Sequence, residues 1–268
     1  MISSIQDNSI NTHVMQLRNL VIRLQNENQQ YRDKCLVQDR VIREYRKKIY
    51  AAPSLCIQAA TVCVNYSDYL EFTIDRNIQQ INKWYIVTTA EDVKTQKLCK
   101  KYNNIYPIIT NAFYDDGAAF NKGKGLNLAI KQFNQDDWCL ILDADTILPP
   151  NVKRDILTLD DIDGIYSYDR VFIKNKDGLI KKFKTDISNE EEIEVQGVPF
   201  NGYIQLYHPT SRFLKIPCYS EIYKDASTSD HEFSKQWPFN EHKKFTNHAI
   251  HLGPSYTNWS GRVTDLFK

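Results

Sequence analysis

Asp143 and Asp145 stand one residue apart in the run LDADT. They follow the apolar stretch Cys139–Leu142 directly. Ligands of an open parallel sheet collect beyond the C-terminal ends of its strands. A strand reading WCLIL that then delivers two acids therefore places them where a ligand binds. Two carboxylates so spaced reach one hard divalent cation, whose shell is completed by substrate phosphates. The plain alternative is a solvated strand end. The apolar run before the pair and Thr146 after it favour the cation.

Such a pair needs a sheet to hold it. Ser54–Asn65 ends in a β-rich run, and residues 68–82 carry Leu70, Ile74, Ile78 and Ile81 at helical spacing. Trp84–Ala90 reads as a buried strand, Val93–Tyr102 as a helix and Ile105–Ile109 as a strand. Gly123–Phe133 reads as a helix, and Trp138–Asp145 as the strand that ends in the acids. Strands alternating with helices predict an α/β fold with a mostly parallel sheet flanked by helices. Beyond Asp145 the pattern changes. Gly164–Ile173 reads as a strand, Lys174–Gly178 as a turn, and LIKKFKTDI as a second strand. Gly202–His208 is a further strand and His231–Trp237 a short helix. The tail is expected to be loop around one short strand, Ala249–Leu252.

The first 50 residues follow different rules. They hold neither proline nor glycine, and the first proline is Pro53. From Val14, a heptad puts Val14, Val21, Asn28, Cys35, Ile42 and Ile49 at position a. Leu17, Leu24, Tyr31, Gln38 and Tyr45 take position d. This predicts one long helix with a coiled-coil stripe, and a homo-oligomer, as a parallel dimer, through it. The alternative is a long helix packed on the rest of its own chain. The expected division is residues 1–52 as the helix and 53–268 as the catalytic domain.

Composition limits the partners. Apolar residues are 42% of the 268, charged residues 25%, and the net charge is +1. That supplies a core but no basic surface, so nucleic acid is disfavoured as a partner without being excluded. The six cysteines form no close metal-binding pair. Cys56, Cys63 and Cys139 lie in apolar runs, as buried thiols do, which suits a reducing compartment. The N-terminus lacks the basic-then-apolar pattern of a signal peptide. No stretch approaches the ~20 apolar residues of a membrane span. A cytoplasmic protein with no transmembrane segment is expected.

Several blocks, taken in order, resemble the nucleotide-sugar-dependent glycosyltransferases of the GT-A type, in the large family-2-like group. They are CVNYSDYL (63–70), VTTAEDVKT (87–95), FNKGKGLNLAI (120–130), LDADT (142–146), YIQLYH (203–208), ASTSDHEF (226–233), and HLGP with NWSGR (251–254, 258–262). The resemblance spans residues 54–262 and leaves the N-terminal helix unmatched. It implies a nucleotide-sugar donor, UDP-sugar first, with Mn2+ or Mg2+, and a glycan, protein or other hydroxyl acceptor.

The resemblance also implies roles. Asp145 would ligate the metal directly, and Asp143 would contact the donor ribose or assist the metal through water. His251 would be the third protein contact to the metal, with His248 as the competing choice. Asn65, Thr88 and Asp92 would hold the base, although Asp92 also suits the cap of the helix starting at Val93. Lys124, with Lys122, could approach the diphosphate, and Arg262 could add a second cation there. Both lysines could equally be solvated. Asp230 would be the general base of an inverting transfer, or the N-cap of the following helix. The group often has an acidic pair there, whereas this chain has Ser229–Asp230–His231. Two rivals stand beside this reading. One is a nucleotidyltransferase, against which VNYSDY offers no glycine after the first strand. The other is an inactive transferase fold whose coiled coil is the working part.

Overall fold

Residues 15, 17, 18, 20–34, 38, 41, 55–159, 161–173, 195, 196, 202–253, 258 and 260–262 are described in a computed structural model. Contacts separate two units, Met1–Tyr50 and Ala51–Lys268. In the first, residues 20–34 form an unbroken helix, α1, whose side chains are all exposed. The heptad residues Val14, Cys35, Ile42, Tyr45 and Ile49 lie outside the described residues.

The second unit opens with β1 (Ile57–Val62), α2 (Ser67–Asn77), β2 (Lys83–Thr88), α3 (Val93–Cys99) and β3 (Ile105–Ile109). A 3-10 turn at Ala112–Gly117 leads to α4 (Lys122–Ile130) and β4 (Trp138–Leu142). Then come β5 (Thr146–Ile147), α5 (Val152–Leu157), β6 (Ile165–Ile173), β7 (Val195–Gln196) and β8 (Ile204–Tyr207). The short helix α6 (Ser229–Ser234) and the long strand β9 (His242–Leu252) complete it.

Among the described residues the sheet has nine strands in the order β3-β2-β1-β4-β8-β6-β9-β5, with β7 on β6. β1, β2, β3 and β4 pair in parallel. β8 runs antiparallel to β4 and β6, and β5 antiparallel to β9, while β6 and β9 are parallel. The sheet is thus mixed, which corrects the expected mostly parallel one. A parallel pair needs a long crossover, and the chain supplies helical crossovers only up to β4. The tail is corrected as well. β9 begins at His242, seven residues before the expected Ala249. Its first half carries Lys243, Lys244, Thr246 and Asn247, which show no apolar alternation, yet its backbone pairs with β6. The expected turn Lys174–Gly178 and the strand after it lie outside the described residues.

β4 reads as continuously apolar because both its faces are covered. Leu140 and Leu142 join one core cluster, Cys139 and Ile141 the other. Past β4, α2 pins the loop that carries the acids. Thr73 Oγ1 donates to Ala144 O at 2.8 Å, and Asn77 Nδ2 to Thr146 O at 2.8 Å. Leu148 N returns a bond to Asn77 Oδ1 at 2.8 Å. These bonds satisfy backbone groups that would otherwise be buried without partners.

Helix α4 depends on Gly125. A Cβ there would lie 2.1 Å from Cε1 of Phe113, a fully buried ring stacked on Phe120 with centroids 5.1 Å apart. Gly125→Ala gains about 1 kcal/mol of helix propensity, but overpacking against a buried ring costs about 1–3 kcal/mol. The clash is expected to win. The urea midpoint should fall with an unchanged slope; a raised midpoint would show that the ring has room to move.

Candidate functional site

The strand ends surround a cavity of about 450 Å³, a size suited to a small-molecule ligand. Asp143, Asp145, His251, Lys122, Asp230 and Arg170 line it. Asn65, Tyr66 and Arg262 add to the wall, as do Ser227, Thr228 and His231.

Strand register brings His251 to the acids. Thr146 of β5 faces His251 of β9, and Leu252 N donates to Asp145 O at 2.8 Å. His251 Nε2 then stands 3.6 Å from Asp145 Oδ1. Burial, helped by the Arg170 charge, lowers the His251 pKa to about 4. The imidazole is therefore neutral near pH 7, the form that ligates metals. Burial also raises the Asp145 carboxyl to about 6, with Lys122 opposing. His248, the competing choice, is exposed.

Asp143 is committed elsewhere. Lys122 Nζ lies 2.8 Å from Asp143 Oδ1, 2.9 Å from Asp230 Oδ2 and 3.4 Å from Gly202 O. Burial alone would lower the Lys122 pKa, but the two carboxylates outweigh it and raise it. For Asp143 and Asp230 burial outweighs the lysine, and both carboxyls are raised. Gly202, at φ +93°, makes room for this arrangement, since a Cβ there would fall 2.2 Å from Asp230 Oδ2. Asp230 Oδ1 is buried without a hydrogen bond.

For a divalent cation the donor set is incomplete. Among the described residues, no three His, Cys, Asp or Glu side chains are grouped to hold one. Asp145 and His251 offer a carboxylate and a neutral imidazole, while Lys122 holds the other expected acid, Asp143. A hard cation bound here would draw much of its shell from phosphate oxygens and water, as magnesium does.

Other expected residues are placed differently. Asp92 caps α3, accepting from Thr95 N at 3.1 Å, and it also accepts from Asn65 N at 2.6 Å and Thr88 Oγ1 at 3.3 Å. Asp92 and Thr88 are buried behind the cavity wall, and of the three base-contact candidates Asn65 lines it. Lys124 points to Asp115 and Asp116 at 3.4 and 2.9 Å. Arg262 grips Asp68 through both its terminal nitrogens, at 2.5 and 2.6 Å, and lies over the rings of Tyr66 and Tyr69. The expected contact with diphosphate would have to compete with Asp68.

Sequence reasoning passed over two wall residues, Arg170 and Tyr66. It named Lys122 beside Lys124 as able to approach the diphosphate without foreseeing its reach to Asp143 and Asp230, which is tertiary. Arg170 had a usable signal, since an arginine inside the apolar strand YSYDRVFI must be compensated. Its guanidinium lies 4.6 and 4.5 Å from the ring centroids of Phe172 and Tyr203. Tyr66 is an aromatic surface at the cavity, stacked on Tyr69 at 5.0 Å.

No protein-family model matches the chain, and no curated protein matches it. Among solved structures, it is similar to a 4-diphosphocytidyl-2C-methyl-D-erythritol synthase from Anaerococcus prevotii, at 15% identity and a TM-score of 0.42. That match covers 73% of this chain and 87% of the other. It is also similar to the bifunctional glycosyltransferase WbbM, at 11% identity and a TM-score of 0.40, over 72% of this chain and 39% of that one. HddC from Yersinia pseudotuberculosis matches at 12% identity and a TM-score of 0.42, over 72% and 92% of the two chains.

Lys122 separates two buried acids. Lys122→Met would leave them facing each other without a counter-charge. Breaking a buried ion pair from one side costs about 3–5 kcal/mol, and the 30% exposure of the Asp143 side chain puts the loss at the low end. Thermal unfolding should show the loss, and millimolar manganese should restore part of it. Unchanged stability would mean that the acids are held by other means.

Proposed function

We propose that the unit Ala51–Lys268 transfers a sugar from a nucleotide-sugar donor, UDP-sugar first, to the hydroxyl of a glycan, protein or other acceptor. The observation that carries this reading is the arrangement of the acids in one cavity. Asp145 and His251 stand 3.6 Å apart at one edge, where they would bind the cation, and Asp230 stands at the other beside Lys122. The order of sequence blocks that resemble family-2-like GT-A transferases supports it too.

Each residue then has a role. A bound Mn2+ or Mg2+ would supply Lewis-acid stabilisation of the departing diphosphate. Asp145 and His251 would hold it, and Asp143 would turn to the donor ribose or to a metal-bound water. Asn65 and Tyr66 would meet the base, the latter by stacking. Lys122 holds Oδ2 of Asp230, and the Asp230 carboxylate would accept the proton of the acceptor hydroxyl, as an inverting transfer requires. The second reading is nucleotidyl transfer. Lys122, a buried cation beside the acid pair, suits the charge of a reacting phosphoryl group as well.

The products separate the readings. The protein is incubated with a panel of nucleotide-sugars, or with nucleoside triphosphates plus sugar phosphates, with and without manganese. Cation-dependent release of nucleoside diphosphate supports glycosyl transfer. Release of pyrophosphate would replace it by nucleotidyl transfer. Neither product, with no saturable nucleotide binding, would leave an inactive fold.

Asp145→Asn should lower turnover at least a hundredfold, on the order of 3 kcal/mol of barrier, with the fold intact by circular dichroism. His251→Ala should weaken cation-dependent donor binding and His248→Ala should not. The reverse pattern in calorimetry would move the ligand to His248.

Asp230→Asn should reduce kcat strongly and change donor affinity little, because a base acts in the chemical step. Equal losses in both would assign it to donor binding. A retained anomeric configuration in the product, read by proton NMR, would rule out the general-base scheme.

A further inference from the structure

We propose that α1 pairs in parallel and in register with the same helix of a second copy of this chain. The observation is a row of large apolar side chains in water. Leu17 is 60% exposed, Val21 51%, Leu24 54% and Tyr31 72%. A helix of this length without tertiary packing is marginal in water, and the row is costly to leave hydrated. Pairing with a second copy would take the row out of water.

The spacing selects that partner. Residues 17, 21, 24, 28 and 31 step by four and three, which is the d-a-d-a-d seam of a heptad. Leu20, 47% exposed, widens the seam at position g. Asn28 takes a central position a, where an asparagine pairs with its symmetry mate and favours two strands over three or four.

Charge selects orientation and register. In a parallel pair, position g faces position e of the next heptad, five residues on in the other helix. Glu27 is at g and Arg32 at e, so Glu27 faces the partner's Arg32, and symmetry supplies the contact twice. Lys34 and Asp39 repeat the spacing with the signs exchanged. An antiparallel pair would bring g against g and lose both matches. Met15 and Ile22 are also exposed, at 60% and 55%, but both fall at position b, off the seam.

Sedimentation equilibrium of the full chain at micromolar concentration tests the proposal, independently of any activity. A dimer is expected. Val21→Glu with Leu24→Glu should weaken it at least a hundredfold, and Ile22→Glu should leave it intact. Glu27→Arg alone should weaken the dimer several-fold, and adding Arg32→Glu should restore it. Mild oxidation should cross-link two chains through Cys35, which the heptad puts at position a, and Cys35→Ser should abolish the cross-link. A monomeric full chain, a dimer that survives the seam double variant, a charge swap that fails to restore pairing, or oxidation without a Cys35 cross-link would each overturn the proposal.

Discussion

A single buried ammonium, that of Lys122, stands between Asp143 and Asp230 and organises the candidate site. Three carboxylates share one cavity wall, and like charges at such separations repel strongly in a low-dielectric setting. Lys122 neutralises two of them at 2.8 and 2.9 Å. That leaves Asp145 beside the neutral His251, 3.6 Å away, outside the lysine's reach. Its position follows from the start of α4, where Asn121 caps the helix by accepting from Lys124 N at 3.0 Å. Asn121 Nδ2 also ties that end to Glu221 O at 2.7 Å. Gly125, against Phe113, lets the helix lie close enough for the lysine to cross the cavity.

The sheet delivers the acids from two directions. β4 brings Asp143 and Asp145 along the parallel half. β9, from the far half of the mixed sheet, returns His251 to meet them through the two-residue strand β5. A shift of one residue in that register would turn His251 to the other face. The hydrogen bonds from Thr73 and Asn77 to the loop after β4 hold this register. The buried amide of Asn77 and the paired backbone groups are thus as much part of the site as the residues that line it.

Much of this could be read in the chain. WCLIL followed by two acids identified the strand end, because apolar continuity and charge are local properties. The helices around Ile74 and Leu126 followed from their spacing. His251 followed from a resemblance, and strand register then set it, rather than the exposed His248, beside Asp145. The strand β9 escaped notice because Lys243, Lys244, Thr246 and Asn247 show no alternation; besides backbone pairing, it is held to β6 by Lys244 on Asp169 and Phe245 on Tyr166 and Tyr168, partners that only the fold supplies. Lys122 was named with Lys124 as able to approach the diphosphate, but its hold on two acids escaped, because a lysine near a helix start looks the same whether it meets water or carboxylates.

By itself the sequence determined the residue types at the strand end, the periodic faces of the helices, the absence of a large net charge, and the contrast between the first 50 residues and the rest. Those properties depend on neighbours within a few positions. Only the tertiary structure decided that the sheet is mixed, that Lys122 pairs with Asp143 and Asp230 across 21 and 108 positions, that Arg262 grips Asp68, and that Asp92 caps α3 from behind the wall. Each of these is a choice of partner among several chemically equivalent ones. The choice is made by which backbone segments the packed sheet brings within hydrogen-bond reach, and that distance is not written in the order of residues.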